Sequence, residues 1–382
     1  MKMIELHIIQ SFPVTCLNRD DLGSPKSATF GGVERARVSS QCWKRAIRIQ
    51  AKDMEKEMFK GNRTRFIVES IKNCLQKSLD EKKAKILAEA IADVLGKLDS
   101  PEKGNVKTLL YLSPLEIENI ATKMLELEYG DLLDIISGGD IKKMEKAQKE
   151  LIKLADKAGK SLKDAVKDAA DIALFGRMVA DDHTLMLEGA ANFSHAISTH
   201  KVSNEIDFFS AVDDLKPEDS EGAGHIGTLE FNSACYYRYV GINLDLLRDK
   251  DHLAHFSKEE LEKVLNAFIR SCLEANPVAR KNSMFGYTRP DYVLGLCRKG
   301  QPLSLANAFE KPVRPNENGY VEKSAKALKE HFKKMKATWG IETNVEKEIS
   351  TVAIDKTNAE KEIPIVGIDE FVTSLLGGVG NE

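Results

Sequence analysis

The sequence predicts an α+β fold, in which a ferredoxin-like βαββαβ core is interrupted by a large helical insertion. Three observations support this prediction. Residues 3–12 are rich in isoleucine and alternate loosely between apolar and polar, which is typical of a strand, and an amphipathic helix follows them. Residues 64–176 have an almost purely helical pattern of apolar residues. Residues 227–244 and 257–275 then supply a second convincing strand and a second amphipathic helix.

The remaining elements can be justified in chain order. Prolines and glycines recur through residues 13–37, so we expect a long functional loop or a hairpin there. The serine pair at 39–40 is placed to cap the first helix. Within the helical block, residues 113–116 and 161–164 match capped helix starts. Further short strands and loops fill residues 276–315.

The composition narrows the class of protein. The chain has 382 residues, of which 42% are hydrophobic and 30% are charged, so it is neither disordered throughout nor collagen-like. No apolar run approaches the ~20 residues that a membrane span needs, and the N-terminus is typical of a strand, not of a signal peptide. The six scattered cysteines form no C-x-x-C pair, which argues against a disulfide framework and the usual zinc site. We therefore expect a cytoplasmic protein without a membrane partner, a cofactor or a bound metal.

The net charge of −3 hides two clusters of opposite sign. Residues 17–52 hold eight basic and three acidic residues, which gives a net charge of +5. Residues 205–221 hold seven acidic residues and one lysine, which gives a net charge of −6. Clustered charge on a nearly neutral chain indicates charged partners and says little about the fold.

The basic cluster contains the most informative motif. A helix that starts at residues 39–41 offers backbone N–H groups to an anion, and Lys44, Arg45 and Arg48 lie on the same face of its next turns. The pair Gly31-Gly32 would allow a phosphate to approach the backbone closely. A basic stripe alone is usually a solvated helix face. The glycines, the helix start and the net +5 together favour binding to a phosphate backbone.

Other motifs are weaker. Residues 222–227 match G-x-G-x-x-G, but they precede a strand and follow an acidic stretch, so we interpret them as a loop and not as a dinucleotide site. Acid pairs such as Asp20-Asp21 could bind Mg²⁺ if two pairs met, although a lone pair is more often a turn or a cap. Phe208 and Phe209 lie in an acidic segment, where they would anchor a loop or form a stacking platform for bases.

Five segments of the chain, in the same order, resemble CasC, the backbone-subunit family of type I-E CRISPR Cascade complexes in the RAMP superfamily. They are residues 16–48, 171–178, 194–215, 225–244 and 302–311. The resemblance implies a right-hand shape with an RRM-like palm, helical fingers and a thumb hairpin. The implied boundaries are 1–60, 177–199 and 227–382 for the palm and C-terminal segment, 61–176 for the fingers and 200–226 for the thumb.

The family resemblance also implies partners. Copies of the subunit would stack head to tail along a CRISPR guide RNA, beside other Cascade subunits. Each thumb would kink the RNA at regular intervals, and the exposed bases would pair with target DNA in antiviral defence. The acidic thumb should repel RNA, so we expect its charge to face the basic surface of the neighbouring copy.

The resemblance further implies contact residues and no catalytic residue. The family's RNA-binding positions correspond here to Arg19, Lys26, Ser39, Gln41, Lys44, Arg45, Arg48, Met178, Phe208 and Phe209. Phe208 replaces an expected tryptophan, which keeps an apolar ring but loses the indole N–H donor. A lysine-rich finger helix that contacts target DNA in the family corresponds to Lys142, Lys143, Lys146, Lys149 and Lys153. The spacing of these lysines on one helix face would otherwise indicate only a solvated face.

Two alternatives remain open at this point. The first is a metal-dependent ribonuclease of the same superfamily, with Asp20 or Asp21 as a metal ligand. We do not expect it, because no second carboxylate or histidine stands at ligand spacing. The second is a helical scaffold that binds no RNA.

Overall fold

The protein is described by a computed structural model. It covers residues 1–100, 104–137, 141–179, 185–211, 214–215, 225–352 and 365–378. The chain divides into two compact units. Unit 1 comprises residues 1–54, 191–244 and 265–382, and unit 2 comprises residues 55–190 and 245–264. The helical insertion expected at 61–176 lies within unit 2.

The helices and strands alternate along the chain. The strands are β1 (Lys2–Thr15), β2 (Ser27–Phe30), β3 (Val33–Val38), β4 (Asn62–Thr64), β5 (Leu98–Ser100), β6 (Asn105–Val106), β7 (Leu110–Leu112), β8 (Ala191–Phe193), β9 (Ala196–Ser198), β10 (Glu205–Ala211), β11 (His225–Asn243), β12 (Tyr292–Lys299) and β13 (Val345–Ser350). The helices are α1 (Ser40–Met54), α2 (Val68–Leu75), α3 (Glu81–Gly96), α4 (Pro114–Leu125), α5 (Gly130–Ser137), α6 (Ile141–Gly159), α7 (Ala170–Phe175), α8 (Leu244–Leu247), α9 (Lys258–Glu274), α10 (Val321–Trp339) and α11 (Ile368–Gly377).

Within the described residues, nine strands of unit 1 form one sheet. Its main path runs β13-β12-β1-β11-β9-β3-β2, with β8 and β10 also paired to β11. β1 lies antiparallel to both β11 and β12, and β11 lies antiparallel to β9. With α1 after β1 and α9 between β11 and β12, the order β12-β1-β11-β9 is that of a ferredoxin-like βαββαβ core. The predicted α+β fold is confirmed.

The central strand β1 is buried on both of its faces. On one face, Ile9 joins a cluster with residues of β11, β12 and α10. On the other face, Phe12 lies 6.3 Å from the ring of Trp43 on α1 and 5.9 Å from that of Tyr236. A strand that is covered on both sides needs apolar residues on both sides, which explains why its sequence alternates only loosely.

Unit 2 is mainly helical. Its core contains residues of α2, α3, α4, α5 and α6, including Leu87, Ile91, Ile120 and Leu151. The block is not purely helical as the pattern predicted, because β4 pairs with β7 and β5 with β6. These strands have only two or three residues, which is too short for a period of two to be distinguished in sequence.

The two predicted caps in unit 2 have different outcomes. The capping box at Ser113 is confirmed, since the Ser113 Oγ accepts from the Glu116 amide and the Glu116 carboxylate accepts from the Ser113 amide. The capping box at Ser161 is wrong. Ser161 lies inside a short 3₁₀ turn and donates its hydroxyl proton to the Ala158 carbonyl, at 2.8 Å.

None of the described helices is both long and apolar enough to cross a bilayer.

A two-stranded ribbon extends from the sheet within the expected thumb. β10 pairs with the first part of β11, from Glu205 opposite Phe231 to Ala211 opposite His225. Every residue of β10 is exposed. Most of the acidic segment that connects the two strands lies outside the described residues, as do the acid pair 181–182 and the first two glycines of the 222–227 motif.

Candidate nucleic-acid interface

The start of α1 is held in place by one asparagine. The Ser39 amide donates to the Asn18 Oδ1 at 2.9 Å, and the Lys26 amide donates to the Asn18 carbonyl at 2.9 Å. The Ser39 Oγ accepts from the Cys42 amide at 3.3 Å and so caps the helix. Ser39 is buried, so an anion at this helix start would meet the backbone amides of Ser40 and Gln41 and not the Ser39 hydroxyl.

Cationic side chains surround this helix start. Arg19 is exposed, and its backbone forms an isolated antiparallel β-bridge with Pro25. Lys26 is half-buried. Arg37, which was not among the predicted contact residues, has its Nη1 atom 3.2 Å from the His195 Nδ1. Burial, together with the charges of Arg37 and Lys26, lowers the pKa of His195. The imidazole is therefore neutral near pH 7, and the positive charge of the surface comes from its arginines and lysines.

The basic row on α1 is wider than one line of side chains. At about 100° per residue, Lys44 and Arg45 stand at the two margins of the row, with Gln41 and Arg48 between them. The Lys44 ammonium lies 5.1 Å from the ring centre of Phe193. Arg45 is exposed on the opposite margin. The row therefore presents charge over roughly a quarter of the helix circumference.

A groove of about 840 Å³ runs along the Arg45 side of α1. Arg19, Asp20, Arg45 and Ile49 line it, and Tyr287 lies at its other side. The Asp20 Oδ1 accepts from the Leu22 and Ser24 amides, both at 2.9 Å, so this carboxylate caps a turn. Among the described residues, no group of three histidines, cysteines or acids is arranged to hold a metal ion.

Gly31 and Gly32 have a local structural role. They form the two-residue turn between β2 and β3, with φ angles of 60° and 75°. A Cβ atom on Gly31 would lie 1.7 Å from the Glu310 carbonyl oxygen. The missing side chain of Gly31 therefore lets the turn pack against residue 310, whereas a Cβ on Gly32 would meet no atom within 4 Å.

One basic residue of the cluster is structural. Arg35 is fully buried, and its guanidinium donates to the carbonyl oxygens of Ser198 at 2.8 Å and Phe309 at 2.7 Å. It precedes the half-buried Arg37 by two residues on β3. The net charge of 17–52 therefore overstates by one the positive charge that reaches the surface.

In unit 2, a buried ion pair fixes the backbone beside Met178. The Arg177 Nη1 lies 2.5 Å from the Glu116 Oε1, and its other nitrogens donate to the Leu162 and Leu185 carbonyls. Met178 itself is 75% exposed. The residue predicted to be an apolar wedge thus projects from a segment that is anchored by its neighbour.

The two thumb phenylalanines lie on opposite faces of the ribbon, because consecutive residues of a strand alternate in direction. Phe208 is 64% exposed. Phe209 is less exposed, since its ring covers Gly227, where a Cβ would lie 2.6 Å from the ring, and lies 5.8 Å from the His225 ring. The sequence suggested one aromatic pair on one surface, whereas the ribbon offers one ring on each side.

The predicted DNA-binding lysines all lie on α6 and are exposed. The opposite face of α6 is buried through Ala147, Leu151 and Ala155. Lys153 forms an ion pair with Glu150 at 2.9 Å, which neutralises part of the row near its end.

These features can be compared with known proteins. The family model of CT1975-like proteins matches residues 4–373. The chain belongs to this family. Among curated proteins, no significant match was found.

Two solved structures are similar to this family member. One, described as "CRISPR RNA-guided surveillance complex, pre-nicking", has a chain that is 26% identical, with a TM-score of 0.78 over 98% of this chain and 99% of that one. Another, described as "CRISPR RNA-guided surveillance complex", is 21% identical, with a TM-score of 0.60 over 99% of both chains, and shows the shared fold. The resemblance to CRISPR surveillance-complex subunits that the sequence indicated is confirmed.

No function was predicted for residues 276–290, of which Asn276, Pro277, Val278, Ala279 and Tyr287 line the groove. This segment reads NPVARKNSMFGYTRP, which combines three basic and two aromatic residues with turn-forming residues. That pattern is typical of nucleic-acid contacts and could have been noticed. What the sequence could not reveal is that Tyr287 lies across the same groove as Arg19 and Arg45.

Proposed function

We propose that this chain is the guide-RNA-binding backbone subunit of a type I-E CRISPR surveillance complex. The observation that carries the proposal is the cationic surface at the start of α1, in a chain that is similar over 98% of its length to a chain of an RNA-guided surveillance complex. In this role it works in the cytoplasm with the other subunits of the complex, holds a CRISPR guide RNA and presents its bases to target DNA.

The chemistry of the surface suits a guide carrier. Arginine and lysine side chains contact phosphates without reading sequence, and the start of α1 adds backbone N–H groups for one phosphate. Because base pairing supplies the specificity of RNA-guided recognition, the protein must hold the sugar-phosphate chain and leave base edges free. Arg19, Lys26, Arg37 and Arg45 supply charge for that purpose.

The exposed apolar side chains give the RNA its periodic shape. Met178 and Phe208 each present an apolar surface that can insert beside a base. Identical subunits joined head to tail form an open array, so the same kink recurs once per copy. The exposed lysines of α6 contact the phosphates of the target DNA duplex, for which mobile ammonium groups need no fixed geometry.

The proposal assigns no catalytic role to the chain. The Asp20 Oδ1 accepts from two turn amides, and among the described residues no group of three histidines, cysteines or acids is arranged to hold a metal ion such as Mg²⁺. Incubation with guide and complementary RNA in Mg²⁺ should leave both strands intact. Cleavage that disappears in Asp21→Ala would replace this assignment with the ribonuclease alternative.

The RNA-binding assignment is tested by removing two exposed cations of the groove. Arg19→Ala with Arg45→Ala should weaken binding of unrelated single-stranded RNAs to the same degree. The slope of log K against log salt should fall by about 0.7 for each lost phosphate contact. A matched variant, Lys82→Ala with Lys250→Ala, removes two exposed cations of unit 2 and should bind RNA like the wild type. A loss confined to one RNA sequence, or no loss at all, contradicts the proposal.

A further inference from the structure

The segment opposite α1 exposes two stacked aromatic rings. Phe285 is 72% exposed and Tyr287 is 45% exposed. Their ring centres are 5.2 Å apart and their planes differ by 9°. Exposing two large rings to water costs the free energy that burial would provide, so a contiguous exposed pair indicates a surface that a partner covers.

The aromatic pair stands on a rigid base. The Gln10 Nε2 on β1 donates to the Asn276 Oδ1 at 3.1 Å and to the Thr288 carbonyl at 2.9 Å. The Gln10 Oε1 in turn accepts from the buried guanidinium of Arg238, at 2.9 Å. Gly286 lies between Phe285 and Tyr287 in the sequence. It packs so closely against Thr15 that a Cβ on Gly286 would lie 2.2 Å from the Thr15 Cγ2. The rings are therefore held by the central strands of the sheet.

The surroundings of the pair carry charges of both signs, two of them from guanidinium groups. Tyr287 lines the same groove as Arg19 and Arg45. Burial raises the pKa of the Cys16 thiol, the nearby charges of Arg280 and Arg19 oppose that rise, and the charges of Asp20 and Glu230 add to it.

The groove also contains four carboxylates, those of Asp20, Asp21, Asp53 and Glu274. Two of them have partners: the Asp20 Oδ1 accepts from the Leu22 and Ser24 amides, and Glu274 lies 3.5 Å from Arg289. The lining thus combines apolar surface, hydrogen-bond acceptors and cations, which matches a nucleobase with its ribose and one phosphate better than a run of phosphates alone.

We propose that Phe285 and Tyr287 form a stacking platform for one base of the bound single-stranded RNA, a site that rests on the proposed RNA-binding function. The base stacks on the outer face of the Phe285 ring, and its adjoining phosphate lies toward Arg19 and Arg45. Aromatic stacking accepts any base because every base has a π-face. The platform therefore holds the guide at a fixed step without restricting its sequence.

The test uses the full chain and single-stranded RNAs that carry 2-aminopurine at successive positions. The wild type should quench the fluorescence of the base that stacks on Phe285. Phe285→Ala and Phe285→Leu should abolish this quenching and weaken binding about 5- to 150-fold, the range for one stacked base. The salt slope should stay unchanged, since no phosphate contact is lost. Phe285→Trp should retain both quenching and affinity.

The matched control is Phe66→Ala, which removes another exposed phenylalanine. Phe66 lies in unit 2 and is 65% exposed. This variant should change neither the quenching of 2-aminopurine nor the affinity for RNA. Wild-type quenching and affinity in Phe285→Ala and Phe285→Leu would overturn the platform alone. Normal RNA binding with a loss of assembly into multimers would instead identify the pair as a contact between copies, and would also overturn it. A wild type that binds no RNA would overturn the proposed function as well.

Discussion

Buried arginines hold exposed side chains in position in this protein. Arg177 is enclosed with Glu116 and two carbonyls, and the residue after it, Met178, is exposed. Arg238 lies 4.1 Å from the ring centre of Trp43 and donates to the Cys272 carbonyl at 2.7 Å. Burying a guanidinium is costly unless hydrogen bonds satisfy its donors. All three Arg177 nitrogens have a partner, so this group ties together the backbone around it. The Arg238 Nε has no hydrogen-bond partner among the described residues.

His7 should make stability depend on pH. It is fully buried on β1, where burial first and the charge of Arg298 second lower its pKa to about 3. The unfolded chain, with an ordinary histidine pKa of about 6.5, binds a proton between pH 6.5 and 3 that the folded protein does not. The free energy of unfolding should therefore fall as the pH drops through this window, by about 1.4 kcal/mol per pH unit.

Denaturant titrations of the wild type and His7→Phe at several pH values measure this contribution. The difference between the two slopes isolates His7 from the carboxylates that also titrate below pH 5. Equal slopes in both proteins would show that the imidazole is not held neutral in the folded state.

At the scale of elements, the ribbon of β10 and β11 points two rings that are adjacent in the sequence toward opposite sides. Phe208 faces one side and Phe209 the other, over Gly227. We infer that the two sides meet different neighbours, one of them RNA and the other a second copy of the chain.

Single substitutions should separate the two rings. Phe208→Ala should disturb the periodic protection of bound RNA in chemical probing and leave the salt slope unchanged, since a stacking contact carries no charge. Phe209→Ala should lower the amount of RNA-bound multimer more than it changes the binding of one copy. Both variants should remain folded, because neither residue belongs to a buried core. An unchanged protection pattern in Phe208→Ala would show that Phe208 does not act as a wedge in the bound RNA.

The lysine row of α6 should act on the rate of DNA binding. Replacing Lys142, Lys146, Lys149 and Lys153 by alanine should slow association with double-stranded target about tenfold or more at low salt, and less at high salt. Substituting arginine at the same four positions keeps the charge and should preserve the rate. Guide RNA binding should not change in either variant. A wild-type association rate in the alanine variant would identify the row as a solvated face.

At the scale of the whole molecule, the proposed head-to-tail contact is open, so assembly should follow the length of the RNA. Longer guide RNAs should recruit proportionally more copies, since each copy covers a fixed stretch of backbone. Native mass spectrometry of complexes formed on RNAs of increasing length measures the number of copies. A number that stays constant as the RNA lengthens would indicate a closed assembly and contradict the array.

Many helices and strands of this protein can be predicted from local sequence patterns. The amphipathic period of α1, its serine cap and the strand at 227–244 depend on neighbouring residues, so they could be predicted. Charge clustering and the family motifs indicated the kind of partner before any geometry was known. The short strands of unit 2 could not be predicted, because two or three residues are too few to distinguish the period of a strand from that of a helix.

The tertiary structure decided which of these residues act together. Arg35 and Arg37 are both arginines of β3, and the sequence does not distinguish them. Arg35 is buried and donates to the Phe309 carbonyl, whereas Arg37 lies beside the His195 ring. The groove joins Arg19 and Arg45 to Tyr287, and Gln10 reaches Thr288 across the chain. The sequence by itself determined the longer elements and the family, because periodicity and motifs are local. Only the fold determined the surface, because burial and proximity arise from contacts between residues far apart along the chain.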